Sequence, residues 1–460
     1  MKQSNAGAQW RHWWWAVLVA VALAVCLLAW LATLAFAGGG TPARSLPVPY
    51  SAELVKRGEY LARVGDCVAC HTARGGAPFA GGLPMATPIG TLYSSNITPD
   101  PDTGIGSYSY GEFERALRRG IGRSGASLYP AMPYPSYARV SDEDVEALYA
   151  YFMRGVTPVR QANRGSGIPW PLSLRWPLTY WRWLFAPAVG NPVAATPTPL
   201  VRGAYLVEGL GHCGACHSPR AWTMQEQALG DDPGRLFLSG AAVDGWYAPS
   251  LRGEPASGLG AMSQADLVAL LKTGRSEGGA IFGGMGEVVE HSTQYMDDGD
   301  LRAVASYLRS LAPTRQEQPL RYDEQVAREL YSGNAGRPGA QLYVDNCATC
   351  HRTHGQGYAQ TFPALALNPV VNDRNPDSLI HLVLAGGSMP GTREAPTQFA
   401  MPAFAERLSD REVAQILSFL RSSWGNQAPA VEERQVARMR DAVGAGGPVR
   451  TDYDPRQGGK

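Results

Sequence analysis

The chain has 460 residues, 45% of them hydrophobic, and a near-even charge balance of Lys+Arg 41 against Asp+Glu 40. Its length leaves room for about three domains of ordinary size, its balance gives no electrostatic reason for a nucleic-acid partner, and Gly 53 with Pro 35 points to much loop. Six of the 7 cysteines fall in three Cys-x-x-Cys pairs, so structural disulfides are not expected. At the N-terminus Lys2 and Arg11 precede a run from Trp13 to Ala37 that carries no charge. The run is long enough to span a bilayer. Positive residues ahead of it place the N-terminus in the cytoplasm and the rest of the chain in a bacterial periplasm. Ala35-Phe36-Ala37 also has the form of a signal-peptidase site, so residues 1–40 read either as a retained anchor or as a cleaved signal. Cys26, inside the run, is expected to be an ordinary buried side chain.

The pairs are Cys67-Val-Ala-Cys70-His71, Cys213-Gly-Ala-Cys216-His217 and Cys347-Ala-Thr-Cys350-His351. Cys-x-x-Cys-His is the attachment signature of c-type haem. Two thiols at that spacing each add to one vinyl group of a single porphyrin, and the adjacent histidine is placed to ligate iron. A lone Cys-x-x-Cys can also be half a zinc site or a redox dithiol. The three pairs lie too far apart in sequence to complete one another's zinc sites, and a dithiol gives no reason for a histidine in the next position three times. Three covalent haems, with iron held by His71, His217 and His351, are therefore expected.

Each motif heads a segment with one plan, an internal repeat. A short helical pattern leads into the cysteines, and an amphipathic helix closes the segment. Val145, Leu148, Tyr149 and Phe152 lie at i, i+3, i+4 and i+7, as do Leu301, Val304, Ala305 and Leu308, and again Val413, Ile416, Leu417 and Leu420. Ser141, Asp297 and Ser409 are the N-cap candidates, each with an acidic residue three positions on. A haem-bearing helix, a loop and a closing helix are the arrangement of small cytochrome c domains. The predicted class is mainly α: three tandem class I cytochrome c domains with loop-rich connections, behind the N-terminal apolar membrane segment. The expected boundaries are 50–157, 199–312 and 337–425, with a Pro/Trp-rich linker at 158–198, a polar linker at 313–336 and a charged tail at 426–460. Trp170, Trp176, Trp181 and Trp183 are expected to pack between domains, with a membrane-surface or partner contact as the alternative. Three prolines and two arginines exclude a spanning helix from Ile168 to Phe185.

Each iron needs a sixth ligand or keeps an open position. Ala131-Met132-Pro133 and Ala400-Met401-Pro402 sit on proline-stiffened loops just ahead of closing helices, which makes Met132 and Met401 the expected ligands of the first and third haems. Met389, in Gly387-Ser388-Met389-Pro390, is the rival to Met401. For the second haem Met285 is the expected ligand, with His291 and Met296 as alternatives. Met85, Met153, Met224 and Met262 read as core filling, and His212, His354 and His381 as local hydrogen-bonding histidines. Thioether ligation raises the iron potential relative to two histidines, which suits electron transfer. No catalytic residue is expected: the chain has no dinucleotide fingerprint and no nucleophile paired with a base.

Gly65-Asp66-Cys67 through His71, Asn96 to Gly106, Leu128-Tyr-Pro-Ala-Met132-Pro-Tyr-Pro-Ser-Tyr137 and Glu290-His-Ser-Thr-Gln-Tyr295 together resemble the trihaem cytochrome c subunit of bacterial membrane-bound dehydrogenases, over roughly residues 50 to 425. That resemblance implies a non-catalytic electron-transfer subunit. Its partner would be a quinoprotein, flavoprotein or molybdenum dehydrogenase subunit, acting on alcohols, sugars or aldehydes. Electrons would pass on to ubiquinone or a terminal oxidase at the periplasmic face of the inner membrane. It also implies methionine sixth ligands at the positions chosen. A terminal-oxidase cytochrome subunit is one rival; a haem peroxidase, which needs an open iron position, is the other.

Overall fold

The computed structural model describes residues 6–37, 50–190, 198–232 and 236–444. Lys2 and residues 445–460 of the charged tail lie outside the described residues. Helix α1 (Ala6–Ala37) contains the stretch Trp13–Trp30, which is long and apolar enough to cross a membrane and buries none of itself in the protein. Cys26, expected to be buried, is exposed on this helix.

Three groups of elements follow. The first comprises α2 (Ala52–Val64), the single turn α3 (Cys67–Cys70), the hairpin β1 (Pro84–Thr87) with β2 (Gly90–Tyr93), then α4 (Tyr110–Arg119), α5 (Tyr134–Tyr137) and α6 (Asp142–Arg154). Helix α7 (Trp176–Phe185) lies between groups. The second runs through α8 (Pro199–Tyr205), a π turn at Leu206–Leu210, α9 (Gly214–His217), the hairpin β3 (Ala241–Val243) with β4 (Trp246–Ala248), α10 (Gln264–Thr273), α11 (Gly284–His291) and α12 (Asp298–Ser310). The third has α13 (Gln325–Tyr331), α14 (Ala340–Asn346), α15 (Ala348–His351), α16 (Pro369–Asn372) and α17 (Asp377–Ala385). It continues through the two-residue pairing of β5 (Gly387–Ser388) with β6 (Ala400–Met401) to α18 (Asp410–Arg421) and α19 (Glu433–Gly444).

The closing helices start where their caps say they should. Ser141 Oγ accepts from Asp144 N at 3.2 Å, Asp297 Oδ1 from Asp300 N at 2.8 Å, and Ser409 with Glu412 forms a reciprocal capping box. All twelve residues of the three helical stripes are buried. Each closing helix crosses the helix that leads into the cysteines at a glycine. A Cβ on Gly58 would collide with the Ala147 carbonyl, one on Gly203 with the Ala303 carbonyl, and one on Gly339 with the Gln415 carbonyl. Tyr151, Tyr307 and Phe419 pack beside those three crossings. The absence of a side chain lets two backbones touch, which holds the cysteine turn in a fixed place relative to the closing helix.

The first and second groups share one hydrophobic core, in which Leu61, Val145 and Leu148 join Leu206, Leu210 and Leu301. A reciprocal exchange fastens them. Arg57 pairs with Asp144 of its own group, and Tyr205 Oη donates to Asp144 Oδ2 at 2.6 Å; Arg202 pairs with Asp300, and Tyr60 Oη donates to Asp300 Oδ2 at 2.6 Å. The third group has its own core. Val326 and Leu330, from the segment read as a linker, and Val431 and Val436, from the segment read as a tail, are buried in it. Arg440 of α19 is tied to Asp410 and to the carbonyls of Ala405 and Leu408.

Burial works against the Asp300 charge, but hydrogen bonds from Arg202 and Tyr60 outweigh it and hold the carboxyl below its ordinary value. A carboxyl depressed on folding contributes stability above its unfolded pKa, and that contribution disappears as pH falls through the folded value. Asp300→Asn is therefore expected to lower unfolding stability at pH 7 by about 2–4 kcal/mol. The variant should also flatten the acid limb of the stability curve below about pH 4. Denaturant unfolding from pH 3 to 7 checks this, and a cost that does not grow with pH would contradict it.

Candidate haem-attachment sites and their junctions

In each group the leading helix delivers two cysteines on a single tight turn, followed by the histidine. Asp66, which precedes the first turn, has a positive φ of 49°. The three histidines are oriented alike. His71 Nδ1 lies 2.7 Å from the Ser95 carbonyl, His217 Nδ1 2.8 Å from Pro249 O, and His351 Nδ1 2.9 Å from Pro363 O. A carbonyl only accepts, so Nδ1 carries the hydrogen and Nε2 keeps its lone pair. A carbonyl hydrogen-bonded to Nδ1 in this way fixes tautomer and ring orientation for a metal-ligating histidine. Burial lowers all three histidine pKa values, against the smaller opposing effect of the carbonyl bonds, and so keeps the rings neutral.

The thiols argue against a redox dithiol. Burial pushes Cys67, Cys213 and Cys347 up to about 12, whereas a reactive dithiol needs a lowered thiol pKa. Among the described residues no group of three or more His, Cys, Asp or Glu is placed to hold a metal ion. Two thiols and an imidazole presenting Nε2, three times over, fit covalent porphyrin attachment. Haem held there would supply one-electron redox chemistry.

The methionines fall into two kinds. Met132 is half-buried beside the first core together with Cys67, and Met401 is half-buried beside the third-group core together with Cys347. Met285 is half-buried in the first turn of α11, behind Gly283 at a φ of 65°, and is not part of either core. The alternatives stand in different settings. Met296 is 4% exposed and belongs to the first core, and His291 is exposed at the far end of α11. Met389 is buried, and its backbone N–H donates to the Phe399 carbonyl at 3.0 Å.

The first two sites lie close together. Burial raises the Cys70 thiol to about 11, and Asp66 and then Cys216 add to the rise, which places Cys216 of the second motif close by. Leu210, from the turn before Cys213, packs over Gly65, and the Tyr137 ring meets the His212 ring edge-on at 5.7 Å. Ser292 Oγ, just past α11, donates to the Val64 carbonyl at 3.0 Å.

A different junction binds the third group. The Trp246 indole stacks on the His381 ring at 4.0 Å, His381 Nδ1 donates to the Gly245 carbonyl at 2.8 Å, and Ser378 Oγ bonds the backbone of Tyr247 in both directions. Glu290 Oε1 receives both Gly391 N and Gln398 Nε2. His381 is thus a buried junction residue as well as a local hydrogen-bonder. Sequence reasoning missed the Trp246 pairing and the Tyr60 and Tyr205 ties, because nothing in a one-dimensional pattern brings β4 to α17 or α2 to α12. Of the linker tryptophans, Trp181 packs inward against Tyr134 and donates from Nε1 to the Thr223 carbonyl, while Trp170, Trp176 and Trp183 stay exposed.

The cytochrome c family model matches residues 337–424. The chain is 56% identical over 394 residues to the gluconate 2-dehydrogenase cytochrome c subunit of Pantoea cypripedii, covering 84% of this chain and 89% of that one. It is 48% identical over 403 residues to the alcohol dehydrogenase (quinone) cytochrome c subunit of Gluconobacter oxydans, covering 86% and 84%. It is 37% identical over 420 residues to the fructose dehydrogenase cytochrome subunit of Gluconobacter japonicus, with the same coverage of 86% and 84%.

Proposed function

The chain belongs to the family of cytochrome c subunits of membrane-bound dehydrogenases, and on that premise we propose that it carries three c-type haems in tandem cytochrome c domains. It is an electron-transfer subunit, taking electrons from a dehydrogenase catalytic subunit and passing them onward. The observation that carries the three-haem reading is the threefold recurrence of one local arrangement. A glycine crossing, a two-thiol turn and a histidine clamped through Nδ1 occur in every group.

Cys67 and Cys70, Cys213 and Cys216, and Cys347 and Cys350 are the attachment pairs; His71 with Met132, His217 with Met285, and His351 with Met401 are the axial ligands. Helix α1 is the membrane anchor, with the haem domains on the periplasmic side. The acceptor is ubiquinone or a terminal oxidase. The relatives' names point to a partner that oxidises an alcohol, a sugar or a sugar acid such as gluconate.

Isolation from membranes tests this reading. The chain is expected to come out bound to a dehydrogenase catalytic subunit. Recovery of the chain alone, with peroxide-dependent turnover, would overturn it.

A further inference from the structure

Helix α7 and the loop before it present an apolar face that no other part of the described protein covers. Trp170 is 80% exposed, Trp183 61%, and Trp222 of the neighbouring turn 93%. Leu172, Trp176 and Leu184 are exposed as well. Trp176, Tyr180 and Trp183 follow helical spacing, while Trp181 and Phe185, on the other side of the helix, pack against each other and Trp181 against Tyr134. Trp181 Nε1 donates to the Thr223 carbonyl, so the Trp222 turn adjoins the helix.

Two observations say what covers this face. First, it adjoins the candidate anchor: Tyr180 Oη lies 3.5 Å from the Leu28 carbonyl, near the end of the Trp13–Trp30 stretch that leads into the globular domains. What surrounds α1 at Leu28 therefore also lies beside α7 at Tyr180. Second, residues 168 to 185 contain no Asp or Glu, while Arg175 and Arg182 lie among them. A surface rich in tryptophan and leucine, with arginines and no carboxylate, matches the boundary between acyl chains and anionic headgroups.

We propose that residues 168–185, together with the Trp222 turn, form a second membrane attachment, lying flat in the outer leaflet against α1 and contacting anionic phospholipid. This rests on the reading of α1 as a membrane anchor. It gives the helix between the first two groups a role that neither haem attachment nor domain packing requires.

The test uses the full chain in its isolated complex, reconstituted into phosphatidylglycerol-containing vesicles whose acyl chains carry a photoactivatable diazirine. After illumination, peptide mapping should find lipid adducts on 168–185 and on the Trp222 peptide, at a level within a few-fold of that on Trp13–Trp30. Trp170→Ser/Trp183→Ser/Leu184→Ser, all at exposed positions, should keep full haem content and lose adducts on 168–185 at least fivefold. Adducts confined to Trp13–Trp30 would overturn the second attachment and leave the anchor intact, as they would if the catalytic subunit covers this face. Adducts on neither segment would instead remove the anchor reading itself.

Discussion

Gly203→Val is expected to prevent assembly of the haem-loaded chain at normal yield. Gly203 lies where α8 crosses α12, and any Cβ there meets the Ala303 carbonyl and Tyr307 Cβ. Both obstacles are set by helix backbone position, so the helices must separate rather than a side chain rotate. Overpacking of this kind costs roughly 3 kcal/mol or more, against a total stability of about 5–15 kcal/mol. The separation would also move Tyr307, which hydrogen-bonds Glu208, and Asp300, which anchors both Arg202 and Tyr60. The damage therefore reaches the first group through the shared core. Haem content and a thermal melt measure it: the melting temperature should fall by roughly 6–12 °C. Gly278→Val, at a site with nothing within 4 Å of the added carbon, should leave both unchanged. A Gly203→Val chain as stable as the parent would show that the crossing is looser than the structure has it.

Met285→Ala is expected to change the second haem without disturbing the other two. Met285 is half-buried, sits outside both cores, and rides on a helix start held by Gly283, where a Cβ would strike the Trp246 ring. Removing its thioether should cost little stability and much redox tuning, because thioether ligation favours reduced iron. The weak red-end absorption of methionine bound to ferric iron should fall by about a third, one haem of three. One of the three potentials should drop by on the order of 0.1 V, within the roughly 0.8 V that axial ligands span. Met296→Leu, a volume-conserving change in the core, should leave the band intact. Loss of the band in Met296→Leu instead of Met285→Ala would reassign the ligand.

Much of the site is legible from sequence because its chemistry is local. Two thiols and a histidine within five residues must share one turn, whatever surrounds them, and the caps at Ser141, Asp297 and Ser409 act within their own first turns. The closing helices follow from a stripe that recurs at helical spacing. What the pattern does not carry is the pairing between groups. Tyr60 and Tyr205 read as ordinary helix residues until each is found on the other group's aspartate. Trp246 and His381 sit in segments with no periodic signal in common, and their stack depends on how β4 meets α17. The linker tryptophans were ambiguous for a different reason. Indole suits a core, an interface or a headgroup layer equally well, and only their exposure beside α1 separates these.

Substrate-driven reduction of the isolated complex tests the central claim most directly. With oxygen excluded and the dehydrogenase's substrate added, absorbance in the reduced-haem bands, calibrated by pyridine haemochrome, should show three c-type haems per chain, all reduced through the catalytic subunit. Two or fewer haems per chain, or three that stay oxidised while the catalytic subunit turns over, would contradict the account.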